Sequence, residues 1–113
     1  EAIEGPIGDI EAAKRIRDIC RAATDSAEKV GVAADRTHKK IKRDVERYER
    51  AARAAMEIAM KVSDELLRDA AVRQIVELCL TAGNGPTAQT LYRAIQAKSI
   101  RDDLLREHTE LQQ

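Results

Sequence analysis

The sequence predicts an all-α protein: a helical bundle of about four helices that associates with copies of itself. In two segments, apolar or small residues recur at alternating spacings of four and three, which is the seam of an amphipathic helix. No segment alternates apolar and polar residues as a half-buried strand does. The chain has 19 Ala but no Phe or Trp. Because aromatic rings provide the largest burial, such a core is thin, and we expect a second copy, most simply in a dimer, to supplement it.

The first helix is predicted to follow an irregular lead-in, residues 1–8, which contains two Gly and one Pro. Asp9 is the predicted N-cap of this helix. Its seam consists of Ala12, Ile16, Ile19, Ala23, Ser26, Val30 and Ala33. We interpret residues 9–113 as a single helical domain.

A second long amphipathic helix is predicted from a second seam. This seam consists of Ile41, Val45, Tyr48, Ala52, Ala55, Ala59 and Val62. The two seams are out of register, and Gly31 and Asp35 lie where the register changes. A hairpin with helices near 9–30 and 37–62 around a turn at 31–36 is favoured over one long helix. The reason is that Gly inside a helix costs about 1 kcal/mol relative to Ala.

A buried third helix and a C-terminal helix are predicted to complete the bundle. Ser63 and Asp64 form a cap signal, but no Gly or Pro accompanies it, so either the third helix begins there or the second helix continues. Apolar residues in 66–82 occupy more than one face, as in a helix with neighbours all around. The run Gly83-Asn84-Gly85-Pro86 is a clear break, and the fourth helix is predicted to begin at its proline. Ser99 is predicted to cap a further segment.

The residues that catalysis or metal binding requires are poorly represented. His38 and His108 are the only histidines, and neither belongs to a pair at metal-ligand spacing. The serines lie outside nucleophile motifs, and no phosphate-binding loop is present. Cys20 and Cys79 do not form a C-x-x-C pair, and we interpret them as buried, reduced thiols of a cytoplasmic protein. We therefore expect no enzyme activity, no metal and no cofactor.

A basic stretch at 36–53 is the first candidate binding site. It contains eight Lys or Arg and three acidic residues, although the whole chain is neutral, with 20 basic and 20 acidic residues. Such a stretch can bind phosphate groups or an acidic protein surface. The alternative is a solvated helix surface with ion pairs between residues three and four apart. The candidate patch consists of Arg36, Lys39, Lys40, Lys42, Arg43 and Arg47.

A helix-turn-helix motif is the second candidate site. Helices at 72–82 and 87–98, joined by a Gly-containing turn, have lengths typical of this motif. The second helix would read DNA through Gln89, Thr90 and Arg93. Against this interpretation, the second helix is not basic, and many helix pairs joined by a short turn look similar.

We expect a non-catalytic protein–protein interaction or oligomerisation module, and a regulatory role is compatible with this expectation. The alternative is a DNA-binding transcriptional regulator that uses the helix pair at 72–98. We expect no membrane-spanning segment, because the longest uncharged run, 78–92, is short and contains Gly and Pro.

Overall fold

The computed structural model describes residues 8–34 and 38–112, and every regular element in this part of the chain is helical. The all-α prediction is therefore confirmed. The predicted lead-in, except Gly8, lies outside the described residues, as does Arg36. The elements are α1 (Asp9–Val32), α2 (Lys39–Ala59), α3 (Glu65–Thr81), α4 (Gly85–Ala94), α5 (Lys98–Glu107) and a C-terminal 3-10 turn (Thr109–Gln112).

The first two helices form the predicted antiparallel hairpin. Near one end, the Ser26 hydroxyl donates to Asp44 Oδ1 at 2.9 Å. At the other end, the Asp9 carboxylate accepts from the backbone N–H groups of Ser63 and Asp64, both at 2.9 Å. Asp9 is thus the first residue of α1 rather than its predicted N-cap, which is Gly8. Its carboxylate instead binds the segment that leads from α2 into α3.

Gly31 lies inside α1, not in the predicted turn. A Cβ atom placed on Gly31 would lie 2.1 Å from the carbonyl oxygen of Thr81, at the end of α3. Only a residue without a side chain permits this approach between α1 and α3. The close packing therefore accounts for a glycine that costs helix propensity.

Helix α3 is the centre of the bundle and packs against α1, α2, α4 and α5. Asp64 caps it by accepting from the backbone N–H of Leu67 at 2.9 Å, which confirms the cap signal at Ser63–Asp64. Ile75 is fully buried and Leu78 is 4% exposed, so the predicted burial of this helix is also confirmed. The buried residues of α3 are Asp69, Ala71, Val72, Ile75, Val76, Leu78 and Cys79.

The described residues form five helices rather than about four, because the C-terminal region divides at residues 95–97. Ser99 is not the cap of the last helix: α5 begins at Lys98, and the side chain of its own N-cap residue, Ala97, has no group that can cap it. Instead, buried Asp69 accepts from the backbone N–H groups of Gln96 at 3.1 Å and Ala97 at 2.8 Å. A carboxylate from α3 therefore binds the backbone N–H groups at the beginning of the fifth helix.

The core is thin, as the composition predicts. Among residues 8–34 and 38–112, nineteen buried residues form one apolar cluster that joins all five helices, and seven of them are Ala. The molecule measures 45 × 36 × 17 Å, so its smallest dimension is less than half of either of the other two. Within the described ranges, no helix combines the length and apolar character that crossing a bilayer requires.

Candidate functional site

Helix α2 carries the predicted basic patch on its exposed side. Lys39, Arg43, Arg47 and Arg50 are spaced four, four and three residues apart, so they form one line along the helix. Lys39, Lys40, Lys42, Arg43 and Arg47 are all exposed. Among the described residues, no basic side chain of α2 takes part in an ion pair. The intrahelical pairs of the solvated-surface alternative are therefore not formed here.

The basic line borders an apolar groove between α1 and α2, which we call the α1–α2 groove. It has a volume of about 290 Å³. Its lining residues are Ile19, Ala22 and Ala23 of α1 and Arg47, Arg50, Ala51 and Ala54 of α2. Ala22 is exposed and Ile19 is half-buried, so apolar surface at this groove remains open to solvent.

Acidic residues lie on the opposite side of the same groove. Asp18 and Asp25 stand four residues before and three residues after Ala22, so all three share one exposed face of α1. Asp25 pairs with Lys29 at 3.2 Å, whereas Asp18 forms no ion pair within the described chain. The groove thus has apolar walls and an arginine border on α2. We call Asp18 and Asp25, on the neighbouring exposed face of α1, its acidic border, in which Lys29 neutralises Asp25.

The predicted DNA-reading residues lie on α4, but they are not equally available. The Gln89 amide donates to the carbonyl oxygen of Leu111 at 3.0 Å and is half-buried beneath the C-terminal 3-10 turn. The exposed Thr90 hydroxyl donates to the Pro86 carbonyl at 3.1 Å, within its own helix. Arg93 is exposed. The C-terminal turn therefore holds one of the three side chains that would have to enter a DNA groove.

The cysteines are buried and unpaired, in agreement with their interpretation as reduced thiols. Burial, with the neighbouring Cys79 and Glu77, raises the pKa of the Cys20 thiol to about 11. Burial also raises the pKa of Cys79, and the hydrogen bond from Tyr48 only partly opposes this. Because the thiolate is the reactive form, neither thiol is activated as a nucleophile at neutral pH.

A cluster of polar residues between α3 and the end of α5 has no counterpart among the sites predicted from the sequence. Nitrogen and oxygen ligand atoms of Glu77, Glu107 and His108 all lie within 4.8 Å of one another. His108 Nε2 is 3.4 Å from Glu77 Oε2. Arg73 donates to both carboxylate oxygens of Glu107 at 2.9 Å and lies 3.7 Å from Glu77. Glu77 and His108 are 31 residues apart, so no spacing pattern could have indicated this contact.

The cluster contains more negative than positive charge. Arg73 also lies 3.7 Å from Asp103, so one guanidinium faces three carboxylates. Burial alone would lower the pKa of Arg73, but its hydrogen bond to Glu107 and the neighbouring carboxylates outweigh burial and raise it. Arg106 adds a second positive charge only at the outer side, where it binds Asp103.

Comparisons of the chain with family models, with curated proteins and with solved structures found no match.

Proposed function

We propose that the protein is a non-catalytic oligomerisation module that forms a two-fold symmetric dimer through the α1–α2 groove. The observation that carries this proposal is the groove itself: small apolar side chains open to solvent, with opposite charges on its two borders. In a two-fold interface, the same surface of each copy meets the other. With the two-fold axis along the groove, the arginine border of one copy would face the acidic border of its partner.

The charges on the two borders support a second copy as the occupant. Arg47 and Arg50 form no ion pair within the described part of the chain, and neither does Asp18. Rotation about a two-fold axis that runs along the groove, parallel to α1 and α2, would bring these unpaired groups of opposite sign together. Complementary charges of this kind fix the orientation of an interface and favour association.

The shape of the molecule also supports self-association. The smallest dimension of the molecule is 17 Å, and seven of the nineteen core residues of the described chain are Ala, so large apolar side chains contribute only part of its core. Its broad side measures 45 by 36 Å. The area of this side exceeds the roughly 800 Å² that each partner buries in a stable complex. Small side chains such as Ala22 and Ala54 let two helices approach closely, although each removes little apolar area from water, at roughly 25 cal/mol per Å². We therefore propose that the border charges contribute to the stability of the dimer.

The DNA-binding alternative has less support from the geometry. Gln89 is held by the Leu111 carbonyl, and the described part of α4 contributes only Arg93 as a basic side chain. We also propose a reducing compartment such as the cytoplasm for this protein, on the ground that Cys20 and Cys79 are free thiols.

Sedimentation of the full chain at micromolar concentrations tests the proposal. We expect the wild type to be a dimer and Ala22→Glu to be a monomer, because the substitution places a charge on the exposed floor of the groove. Ala94→Glu is the matched control: Ala94 is also exposed and helical but lies on α4, so this variant should remain a dimer. A wild type that sediments as a monomer, or an equal effect of both substitutions, would refute the proposal.

A charge exchange tests the orientation of the two copies. Asp18→Arg and Arg50→Asp should each weaken the dimer, since each places like charges opposite one another. Together they restore opposite charges, so the double variant should associate more strongly than either single variant. If the two effects simply add, Asp18 and Arg50 do not meet across the interface.

A further inference from the structure

We infer that Glu77, Glu107 and His108 form a binding site for a zinc ion that links α3 to the end of α5. This site is separate from the α1–α2 groove, so it does not depend on the proposed dimer. The residues that carry it are one imidazole and two carboxylates, brought together from two helices and the turn that follows α5.

The distances fit a tetrahedral zinc site. Zinc binds His nitrogen and carboxylate oxygen at about 2.0–2.2 Å, so neighbouring ligand atoms in a tetrahedron are about 3.3–3.5 Å apart. His108 Nε2 and Glu77 Oε2 are 3.4 Å apart, which matches one edge of that tetrahedron. The Glu107 carboxylate is within 4.8 Å of both atoms, so a side-chain rotation suffices to bring it to the ion. Three protein ligands leave the fourth position for water.

The type of ligand selects the type of metal. Imidazole nitrogen with carboxylate oxygen suits zinc and similar transition metals, whereas magnesium and calcium favour oxygen ligands alone. The side chains of His108, Glu77 and Glu107 are 27%, 37% and 52% exposed, so an ion can enter from solvent without unfolding of the chain.

Arg73 would compete with a zinc ion for the carboxylates of Glu107 and Glu77. Its guanidinium already binds both oxygens of Glu107 and lies near Glu77, so the ion must displace it from these carboxylates. Asp103, 3.7 Å from Arg73, remains as a partner for the displaced guanidinium. The cluster holds three carboxylates against Arg73 and, at its outer side, Arg106, so a divalent cation would meet an excess of negative charge.

Zinc titration of the full chain by calorimetry, with the thiols kept reduced, tests the inference. We expect one Zn²⁺ per chain, and we expect His108→Asn to weaken binding at least about tenfold, because the loss of even a group that only orients a metal ligand costs about 10–100-fold in affinity. The matched control is His38→Asn, which replaces the only other histidine and should leave zinc binding unchanged. Equal binding by wild type and His108→Asn would overturn the proposal.

Two further variants distinguish this site from zinc binding at a cysteine thiol. Arg73→Gln removes the competing cation and should tighten zinc binding, whereas weaker binding in this variant would show that Arg73 does not compete with the ion and would contradict the proposed arrangement. Cys20→Ser should bind as the wild type does. Loss of binding in Cys20→Ser would assign the zinc to the thiol in the neighbouring cleft between α1 and α3 and would overturn the proposal.

A measurement on the unmodified chain does not depend on whether the variants fold. Zinc should change the backbone amide NMR shifts of residues 73–77 and 103–108 and leave those of α2 in place. Shifts centred on residues around His38, or no shifts at millimolar zinc, would contradict the assignment.

Discussion

Helices α2 and α3 are of similar length but contribute differently to the molecule. Three of the 21 residues of α2 are buried, whereas seven of the 17 residues of α3 are. Helix α2 has one apolar face against α1 and α3 and an exposed basic face, while α3 is surrounded by four other helices. The clean apolar stripe of α2 therefore indicates a helix at the edge of the bundle, and the less regular pattern of α3 indicates the helix at its centre.

This difference separates stability from recognition. Helix α3 provides the fully buried Ile75 and Val76 and the Asp69 carboxylate that accepts from the residues before α5, so changes within it should affect folding. Helix α2 provides unpaired charges and one border of the α1–α2 groove, so changes on its exposed face should affect association. The following substitutions test that division.

The largest effect is expected from Ile75→Ala in α3. Ile75 is fully buried, and replacing such a residue by Ala costs about 2–5 kcal/mol of unfolding free energy, because apolar contacts are lost and a cavity remains. Ile41→Ala is the matched change in α2, where the side chain is only half-buried, and it should cost clearly less. Chemical denaturation measures both values. Equal costs would show that α2 contributes to the core as much as α3 does.

A smaller effect is expected from Gly31→Ala, at the contact between α1 and α3. Ala favours a helix by about 1 kcal/mol over Gly. However, the added Cβ would lie 2.1 Å from the Thr81 carbonyl oxygen, and the backbone atoms must move apart. We expect a net loss of about 1–3 kcal/mol, the usual cost of overpacking.

Gly85→Ala is the control for this substitution. Gly85 is also a helical glycine, but its added Cβ would have no atom within 4 Å beyond those of its own helix and chain neighbours. Its thermal midpoint should fall less than that of Gly31→Ala, because the only crowding that its Cβ meets is from the ring of the next residue, Pro86. If Gly31→Ala is stabilising, then α1 and α3 are not in close contact at this point.

The Asp69 carboxylate that binds the beginning of α5 should contribute less to the free energy of unfolding than the contact at Gly31 does. Asp69→Ala removes the acceptor for the N–H groups of Gln96 and Ala97, and loss of a helix cap costs about 0.5–2 kcal/mol. Ser99→Ala tests the residue that the sequence predicts as the cap, and it should be nearly neutral because Ser99 is exposed within α5. A larger loss of stability from Ser99→Ala than from Asp69→Ala would show that Ser99 is the cap of this helix after all.

These substitutions also show which features could be predicted from the sequence. The seams predicted α1 and α2 because apolar spacing records which side of a helix is buried. The start of α5 could not be predicted in the same way, because the carboxylate that caps it lies 27 residues earlier in the chain, on α3. The sequence predicts a turn at Gly31, but Gly31 lies within α1. A glycine is required there because the backbone packs closely against Thr81, and this contact exists only in the folded chain.

The candidate sites follow the same rule. The basic patch on α2 was visible because its members are local in sequence and share one helix. The groove beside it was not, because it requires Ile19 and Ala22 of another helix. The proposed zinc ligands Glu77 and His108 are brought together by the packing of α3 against α5, and neither has a ligand partner at helical spacing in the sequence.

The smallest effect on stability is expected from a rise in pH into the alkaline range. It tests whether the Cys20 thiol is buried inside the bundle. The pKa of Cys20 rises from 9.0 to about 11 in the folded chain, chiefly through burial. Between pH 9 and 11, the unfolded chain therefore loses a proton that the folded chain retains, and the unfolding free energy falls as pH rises. Below this range the contribution is constant. Urea denaturation at intervals across this range should show the decline in unfolding free energy. Cys20→Ala should show a shallower decline, because it lacks the contribution of Cys20. Some decline should remain in this variant, because the pKa values of Cys79 and Tyr48 are also raised. The same slope in both proteins would mean that Cys20 ionises equally in the folded and unfolded chains, and hence that α1 and α3 do not shield this thiol.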